Sequence, residues 1–294
     1  MSTTEKMAGR VLKKDADSAL LDQNLRESLS AIKHKSLVVS SQGGVGKTSV
    51  IVNVAVALSK RRVMVGLMDV NTHGPDIHRM LGLKPAIAST SDNRLIPVQY
   101  ADNLKVASIA LAMQDPDETG AWGMPLKISE IQRFISSVRW GSLDYLFIDM
   151  PSGPGDALLM IIRSIPDIKI IVVTSAREVS AVRTKNMINF FRKEQIPIFG
   201  WIENMRGLFC RHCGRPLELF SSGSGSRAVF LGDIPFWGRI PIDPHLAESA
   251  DAGTAFVEEY PESEAARGCD LIVEKILKGD KASFSENMSI YYDL

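Results

Sequence analysis

The sequence predicts an α/β protein built on a mostly parallel, doubly wound sheet, and three observations carry that expectation. Short runs such as Ser36–Ser40, Asp144–Met150 (DYLFIDM) and Ile168–Ser175 (IKIIVVTS) are apolar almost throughout rather than alternating. Strands buried on both faces read that way. Segments of helical periodicity alternate with these runs, the order that βαβ units require. A glycine cluster, Gly43–Gly46, then stands between one such strand and the helix after it.

Taken in order, residues 1–17 are polar and are expected to form a flexible segment. Leu21, Leu25, Leu29 and Ile32 fall at i, i+4, i+8 and i+11, one stripe of an amphipathic helix. Ser36–Ser40 is a buried strand leading into the glycine loop. Thr48 to about Lys60 follows as a helix, rich in Val and Ala and apolar on several sides. Arg62–Asp69 (RVMVGLMD) and Leu104–Leu111 read as the next strands, and Lys127–Trp140 as a helix. The strand Asp144–Met150 delivers Asp149 at its end. Asp156–Ile165 is expected as a helix, Ile168–Ser175 as a strand, Val179–Glu194 as a helix and Ile198–Glu203 as a strand. A loop with two close cysteines follows, then a last strand over Phe236–Ile240 and a last helix over Pro261–Leu277. This organisation predicts one domain over residues 18–278, a small insertion at 205–217 carrying the cysteines, and a flexible tail over 279–294. No repeats occur, and Ser221–Ser226 (SSGSGS) is the one low-complexity piece.

The 294 residues balance 34 basic against 34 acidic side chains, so no global charge draws the chain to nucleic acid or to anionic membrane. No apolar run reaches the roughly 18–20 residues that span a bilayer. The N-terminal stretch lacks the apolar core of an export signal. Three cysteines do not make a disulfide framework. A reducing cytoplasm is the expected compartment, with no nucleic-acid and no membrane partner.

The glycine loop is the first candidate site. Successive glycines let backbone N–H groups ring an anion, and the helix that starts after the loop adds its positive end. Lys47 would neutralise the β and γ phosphates and the Thr48 hydroxyl would bind magnesium. The plain alternative is a glycine-rich turn joining strand to helix. Asp149 strengthens the first reading, because a carboxylate at the C-terminal end of a strand lies where α/β sheets bind ligands and can hold magnesium. Asp69 ends the second strand in MDVNTHGPD. It is read either as a turn aspartate or as a second carboxylate beside the phosphates.

Cys210-Arg211-His212-Cys213-Gly214 is the second candidate site. The CxxC spacing lets two thiolates grip one metal or cluster corner. A single CxxC supplies two of the four ligands that zinc and iron–sulfur sites usually take, so two copies of the chain would complete the set. A redox dithiol and a plain loop remain as alternatives. A loop placement between Gly207 and Pro216 disfavours the redox reading, which expects a helix start. His212 reads as an exposed loop histidine, and Cys269, among apolar helical neighbours, as packing.

With these residues in place, the chain resembles the Mrp/ApbC family of iron–sulfur cluster carrier ATPases, MinD-like P-loop NTPases whose loop usually reads GKGGVGKST. The resemblance spans roughly residues 30–260. It runs through Ser41–Ser49, HGPDIHRMLG (His73–Gly82), WGSLDYLFIDMPSGPGD (Trp140–Asp156), IPIFGWIENM, the CxxC and GRIPIDPHLAESADAG (Gly238–Gly253). It implies an ATP–magnesium site formed by Gln42, Gly43, Gly44, Val45, Gly46, Lys47, Thr48 and Ser49, with Lys47, Asp69 and Asp149 as the catalytic set. It also implies that Asn204 reads the adenine and that Pro241 to Asp243 line its pocket. A homodimer would hold a bridging [4Fe-4S] cluster between paired Cys210 and Cys213, for delivery to apo-proteins and assembly factors.

The departures from the family pattern concern hydrolysis. The family's second lysine, which reaches the partner's nucleotide, is here Gln42; its DxD is here Asp69-Val70-Asn71. PPGTGD is here PSGPGD, and Arg183 stands where an aspartate is usual. The groups that bind nucleotide are present and those that accelerate hydrolysis are impaired. Loss of one positioned cation costs on the order of 10³–10⁵ in phosphoryl-transfer rate. The expectation is a carrier with weak or partner-assisted hydrolysis. The alternatives are a MinD/ParA-like positioning switch, and a specialised non-hydrolysing paralogue whose CxxC holds zinc or another metal. Membrane-attached switches use a basic amphipathic C-terminal helix. The acidic tail, with Glu286 and Asp293, argues against that role.

Overall fold

The computed structural model describes residues 21, 23–72, 74–84, 88–91, 94–112, 128–153, 155–175, 178–209, 213, 215–217 and 233–283. A helix over residues 23–29 (α1) leads into β1 (Ile32–Val39). The chain continues through α2 (Lys47–Ser59), β2 (Val65–Asp69), α3 (Ile77–Met80), β3 (Ala88–Ser89), β4 (Leu95–Ile96), β5 (Val98–Ala101) and β6 (Leu104–Ser108). Then come α4 (Ile109–Ala112), α5 (Ile128–Ser137), β7 (Leu143–Asp149), α6 (Asp156–Ser164), β8 (Ile168–Ser175) and α7 (Glu178–Lys193). The last elements are β9 (Ile198–Phe209), β10 (Pro216–Leu217), β11 (Phe236–Ile242), α8 (His245–Ala252), α9 (Phe256–Glu259) and α10 (Glu264–Ser283).

The main sheet has the order β10-β9-β8-β1-β7-β2-β6-β5, with β11 also pairing β9. Its inner pairs, β9–β8–β1–β7–β2–β6, are all parallel, as the continuous apolar runs require. Helices cover both faces. On one, α2, α9 and α10 enclose a core that includes Val54, Leu58, Phe147, Phe256 and Ile272. On the other, residues of α1, α5, α6 and α7 pack with Leu37, Leu146, Ile148 and Trp140. The many-sided apolar character of α2 has its cause here. The helix lies between the sheet and α10 and is buried from Val50 to Ser59. Cys269, on α10, is fully inside this layer, in accord with its reading as a packing residue.

Several boundaries differ from expectation. Ile32 is the first residue of β1 rather than the end of the preceding helix, because the strand begins four residues earlier to pair Ile32 with Leu143 of β7. The strand expected over Leu104–Leu111 stops at Ser108, where α4 begins. The strand expected over Ile198–Glu203 runs on to Phe209. Left-handed residues at Met205 (φ 58°) and Gly207 (φ 71°) bend β9 without ending it, and its extension pairs with β10. The last helix starts at Glu264 rather than Pro261 and continues to Ser283, into the segment expected to be loose. Sequence periodicity also passes over β5, the β3–β4 pair and α8, all short or half-exposed.

Candidate functional site

Four neighbouring parallel strands finish nearly level at their C-terminal ends. Val38 of β1 pairs with Asp149 of β7, Asp149 with Asp69 of β2, and Asp69 with Ser108 of β6. Two carboxylates therefore stand on adjacent strands, both buried, at the edge where α/β sheets take ligands. Beside them β1 gives way to the glycine loop, which turns directly into α2.

The loop is held closed on Asp149. Lys47, buried at 6% exposure, forms an ion pair with Asp149 Oδ1, and Thr48 Oγ1 donates to Asp149 Oδ2 at 2.6 Å. Ser49, half-buried, accepts a bond from Asn53 Nδ2 at its carbonyl, 2.9 Å. Gly44 and Gly46 adopt φ of 75° and 74°, left-handed values that favour glycine. A Cβ at Gly46 would collide with the Asn204 amide, which donates to the Val45 carbonyl at 2.8 Å. Asn204 thus ties β9 to the loop. At the loop's start, Ser40 Oγ donates to the Gln42 carbonyl at 2.9 Å, and Gly153 N donates to the Ser40 carbonyl at 3.1 Å. A Cβ at Gly43 would stand 3.3 Å from Ser152 Oγ, so the turn after Asp149 packs over the loop's entrance. Ser41 Oγ lies 3.0 Å from Thr184 Oγ1 of α7.

Asp69 accepts bonds from Asn71 N at 3.0 Å, Ile77 N at 3.2 Å and Ser108 Oγ at 3.3 Å. Burial first, and the neighbouring Asp149 carboxylate second, push its carboxyl up to about 8, against the opposing pull of the two backbone donors and Lys47. A carboxyl held neutral in the fold and ionised in the unfolded chain stabilises the fold fully below the ordinary carboxylate range. That contribution is lost as pH rises towards 8. Asp69→Asn removes the titrating group, so native and variant chains are expected to diverge. Between about pH 5 and 8 the native folding constant should fall relative to the variant's by up to about tenfold per pH unit, then level off. Urea unfolding across that range measures it. Parallel pH profiles would exclude a neutral Asp69.

Of the other predicted residues, Asn204 and Pro241 are brought together, since β11 pairs Ile240 with Asn204. The Asp243 carboxylate accepts from His245 N at 3.1 Å and meets His245 Nδ1 at 2.9 Å, and the His245 ring stacks on Tyr260. Gln42 is partly exposed beside the loop entrance, and Arg183 is exposed on α7. Cys213 is exposed, while Cys210, His212 and Gly214 lie outside the described residues, as do His73 and Pro154. The β9–β10 pairs Leu208–Leu217 and Phe209–Pro216 bracket the cysteine segment. No group of three or more metal-ligating side chains occurs among the described residues. Sequence reasoning passed over Thr184 and Ser108. Neither belongs to a motif, and only the fold places them on Ser41 and Asp69.

A family profile described as ParA, NUBPL iron-transfer P-loop NTPase, matches residues 31–277. An iron-sulfur cluster carrier protein of Methanocaldococcus jannaschii is 40% identical over 237 residues, covering 80% of this chain and 82% of its own. The cytosolic Fe-S cluster assembly factor NUBP2 of Homo sapiens is 34% identical over 260 residues, covering 87% and 96%. Among solved structures, a nucleotide-binding protein from Archaeoglobus fulgidus in complex with ADP aligns with a TM-score of 0.68 at 32% identity. That alignment covers 81% of this chain and 93% of the other. The septum site-determining protein MinD of Pyrococcus horikoshii, with Mg-ADP, aligns at 0.63 with 22% identity, covering 85% and 98%, a likeness of fold alone. The positioning-switch alternative therefore gains only shared architecture, whereas the cluster-carrier relatives share sequence along most of the chain. On this sheet order, this loop and these matches, the chain belongs to the iron-transfer P-loop NTPase family of iron–sulfur cluster carriers and assembly factors.

Proposed function

We propose that the chain is a cytoplasmic, nucleotide-dependent carrier that binds ATP with magnesium and passes a [4Fe-4S] cluster to apo-proteins and assembly factors. The observation that carries the nucleotide half is the meeting of Lys47 and Thr48 on Asp149 beneath a loop with two left-handed glycines. These residues fit the group. Thr48 and Asp149 offer hard oxygen donors of the kind magnesium takes, Lys47 offers a phosphate counter-charge, and Gly44 and Gly46 leave the loop without a Cβ. A bound magnesium ion would supply positive charge next to phosphate oxygens. Asp69, paired with Asp149 on the adjacent strand, would be the second carboxyl of the site. Asn204 keeps its carbonyl oxygen for the adenine while its amide holds Val45, with Pro241 on the next strand and Asp243 just after it.

The cargo half rests on the relatives' names and on the exposed Cys213, at the end of the β9–β10 bracket. Two thiolates per chain call for a homodimer to complete four. Among the described residues no helix is long and apolar enough to cross a membrane, in keeping with a carrier that needs none. The decisive experiment is anaerobic purification followed by iron, sulfide and zinc analysis. Four iron and four sulfide per two chains support the reading. Zinc alone, at one per two chains, would overturn it in favour of the zinc-binding paralogue.

Hydrolysis is expected to be slow, because Gln42 and Asn71 bring no charge to the phosphates. Combining Gln42→Lys with Asn71→Asp should raise steady-state ATP turnover by tenfold or more, on the order-of-magnitude weight of a positioned cation. Native turnover already as fast as that of the double variant would show that the site is not impaired.

A further inference from the structure

The hydroxyl contact between Ser41 and Thr184 joins segments 143 residues apart and sets α7 against the outer end of the glycine loop. Thr184 is buried at 1% exposure, so α7 is fixed there rather than resting on the surface. The residue before it, Arg183, is exposed, and among the described residues it has no ion pair or hydrogen bond. At the loop's outer end Gln42 carries no charge, and Lys47 lies buried at the inner end against Asp149. The contact thus sets the turn of α7 that carries the exposed Arg183 against the end of the loop that lacks a cation.

We propose that Arg183 is a specificity-determining residue that contacts the terminal phosphate of a nucleoside triphosphate held in the same chain's glycine loop. The inference rests on the nucleotide reading of that loop. A triphosphate carries one more phosphoryl group, and about one more negative charge, than a diphosphate. A planar guanidinium with several N–H donors suits those extra oxygens, and a long side chain spans the gap from an exposed helix position. A diphosphate leaves nothing at the outer end for Arg183 to meet. The contact therefore separates ATP from ADP instead of strengthening both. Lys185, also exposed, flanks Thr184 on the opposite side by the 100° step of the helix and is the natural control.

The test is equilibrium binding of ADP and of an ATP analogue with a non-hydrolysable β–γ bridge, both with magnesium, to the native chain and to single variants. Arg183→Ala is expected to weaken the analogue by about tenfold or more and to leave ADP within about twofold, as loss of one charge-assisted contact would. Arg183→Lys should recover part of the loss, and Lys185→Ala should show no such loss. An equal loss for both nucleotides in Arg183→Ala would make the residue structural and overturn the proposal. So would an unchanged ratio, or a selective loss in Lys185→Ala instead. A ratio that climbs with protein concentration would place the arginine on a second copy and overturn the same-chain contact. A native chain that binds neither nucleotide would remove the loop's nucleotide reading itself, an outcome distinct from all of these.

Discussion

Lys47→Ala is expected to weaken ATP binding by about 10²-fold or more and to destabilise the ligand-free fold at the same time. The first effect follows from removing the one ammonium group inside the loop, since charge-assisted bonds contribute roughly 1.5–3 kcal/mol each and a phosphate group engages more than one. The second follows from the ion pair. Asp149 has no exposed side-chain surface and loses its only partner cation among the described residues, next to the Asp69 carboxyl. Breaking a buried pair from one side costs about 3–5 kcal/mol. Urea unfolding and equilibrium binding of a labelled ATP analogue read the two effects separately. Binding is measured below the onset of unfolding, so a folded variant with native affinity would take the glycine loop out of the nucleotide site. A variant of unchanged stability would mean that the Lys47–Asp149 pair adds nothing to the ligand-free fold.

Cys210→Ser and Cys213→Ser are each expected to abolish cluster retention, while Cys269→Ser leaves it nearly unchanged. The contrast is set by accessibility and ligand number. Cys213 is exposed on the segment between β9 and β10, whereas Cys269 is enclosed by α10 and its neighbours, and burial pushes its thiol up to about 12. A thiol so far from ionisation is a poor ligand, because iron and zinc bind the thiolate. Four thiolates for one cluster then require two chains, so loading and dimerisation should rise together. Anaerobic reconstitution followed by size exclusion, with absorbance at the thiolate-to-iron band, reads both. A cluster-loaded monomer would refute the bridging arrangement, and full loading of Cys210→Ser would move the cluster elsewhere.

Much of this architecture was legible because burial on both faces leaves a plain mark. β7 and β8 are apolar almost throughout, and their sequence limits agree with the structure to within a residue. The glycine loop was legible for a related reason: left-handed backbone at Gly44 and Gly46 demands glycine, so a conformational need appears as composition. Pairing across the sheet left no such mark. Nothing local says that Ile32 will leave the helical stripe to meet Leu143, or that β9 will bend at Met205 and continue. The closeness of Asp69 to Asp149, which adds to burial in holding the Asp69 proton, is a matter of strand register between segments 80 residues apart. The hydroxyl pair of Ser41 and Thr184 is equally invisible in sequence, since serine and threonine announce no partner.

Enclosure of Cys269 also gives the molecule a built-in gauge of its own opening. With its thiol pushed up to about 12 by burial, little thiolate forms at neutral pH, and the sulfur is shielded while α10 lies on α2. Alkylation of that one sulfur therefore records how often this helical layer separates, however the exposed thiol behaves. A maleimide pulse becomes a clock for core breathing, one that needs no denaturant.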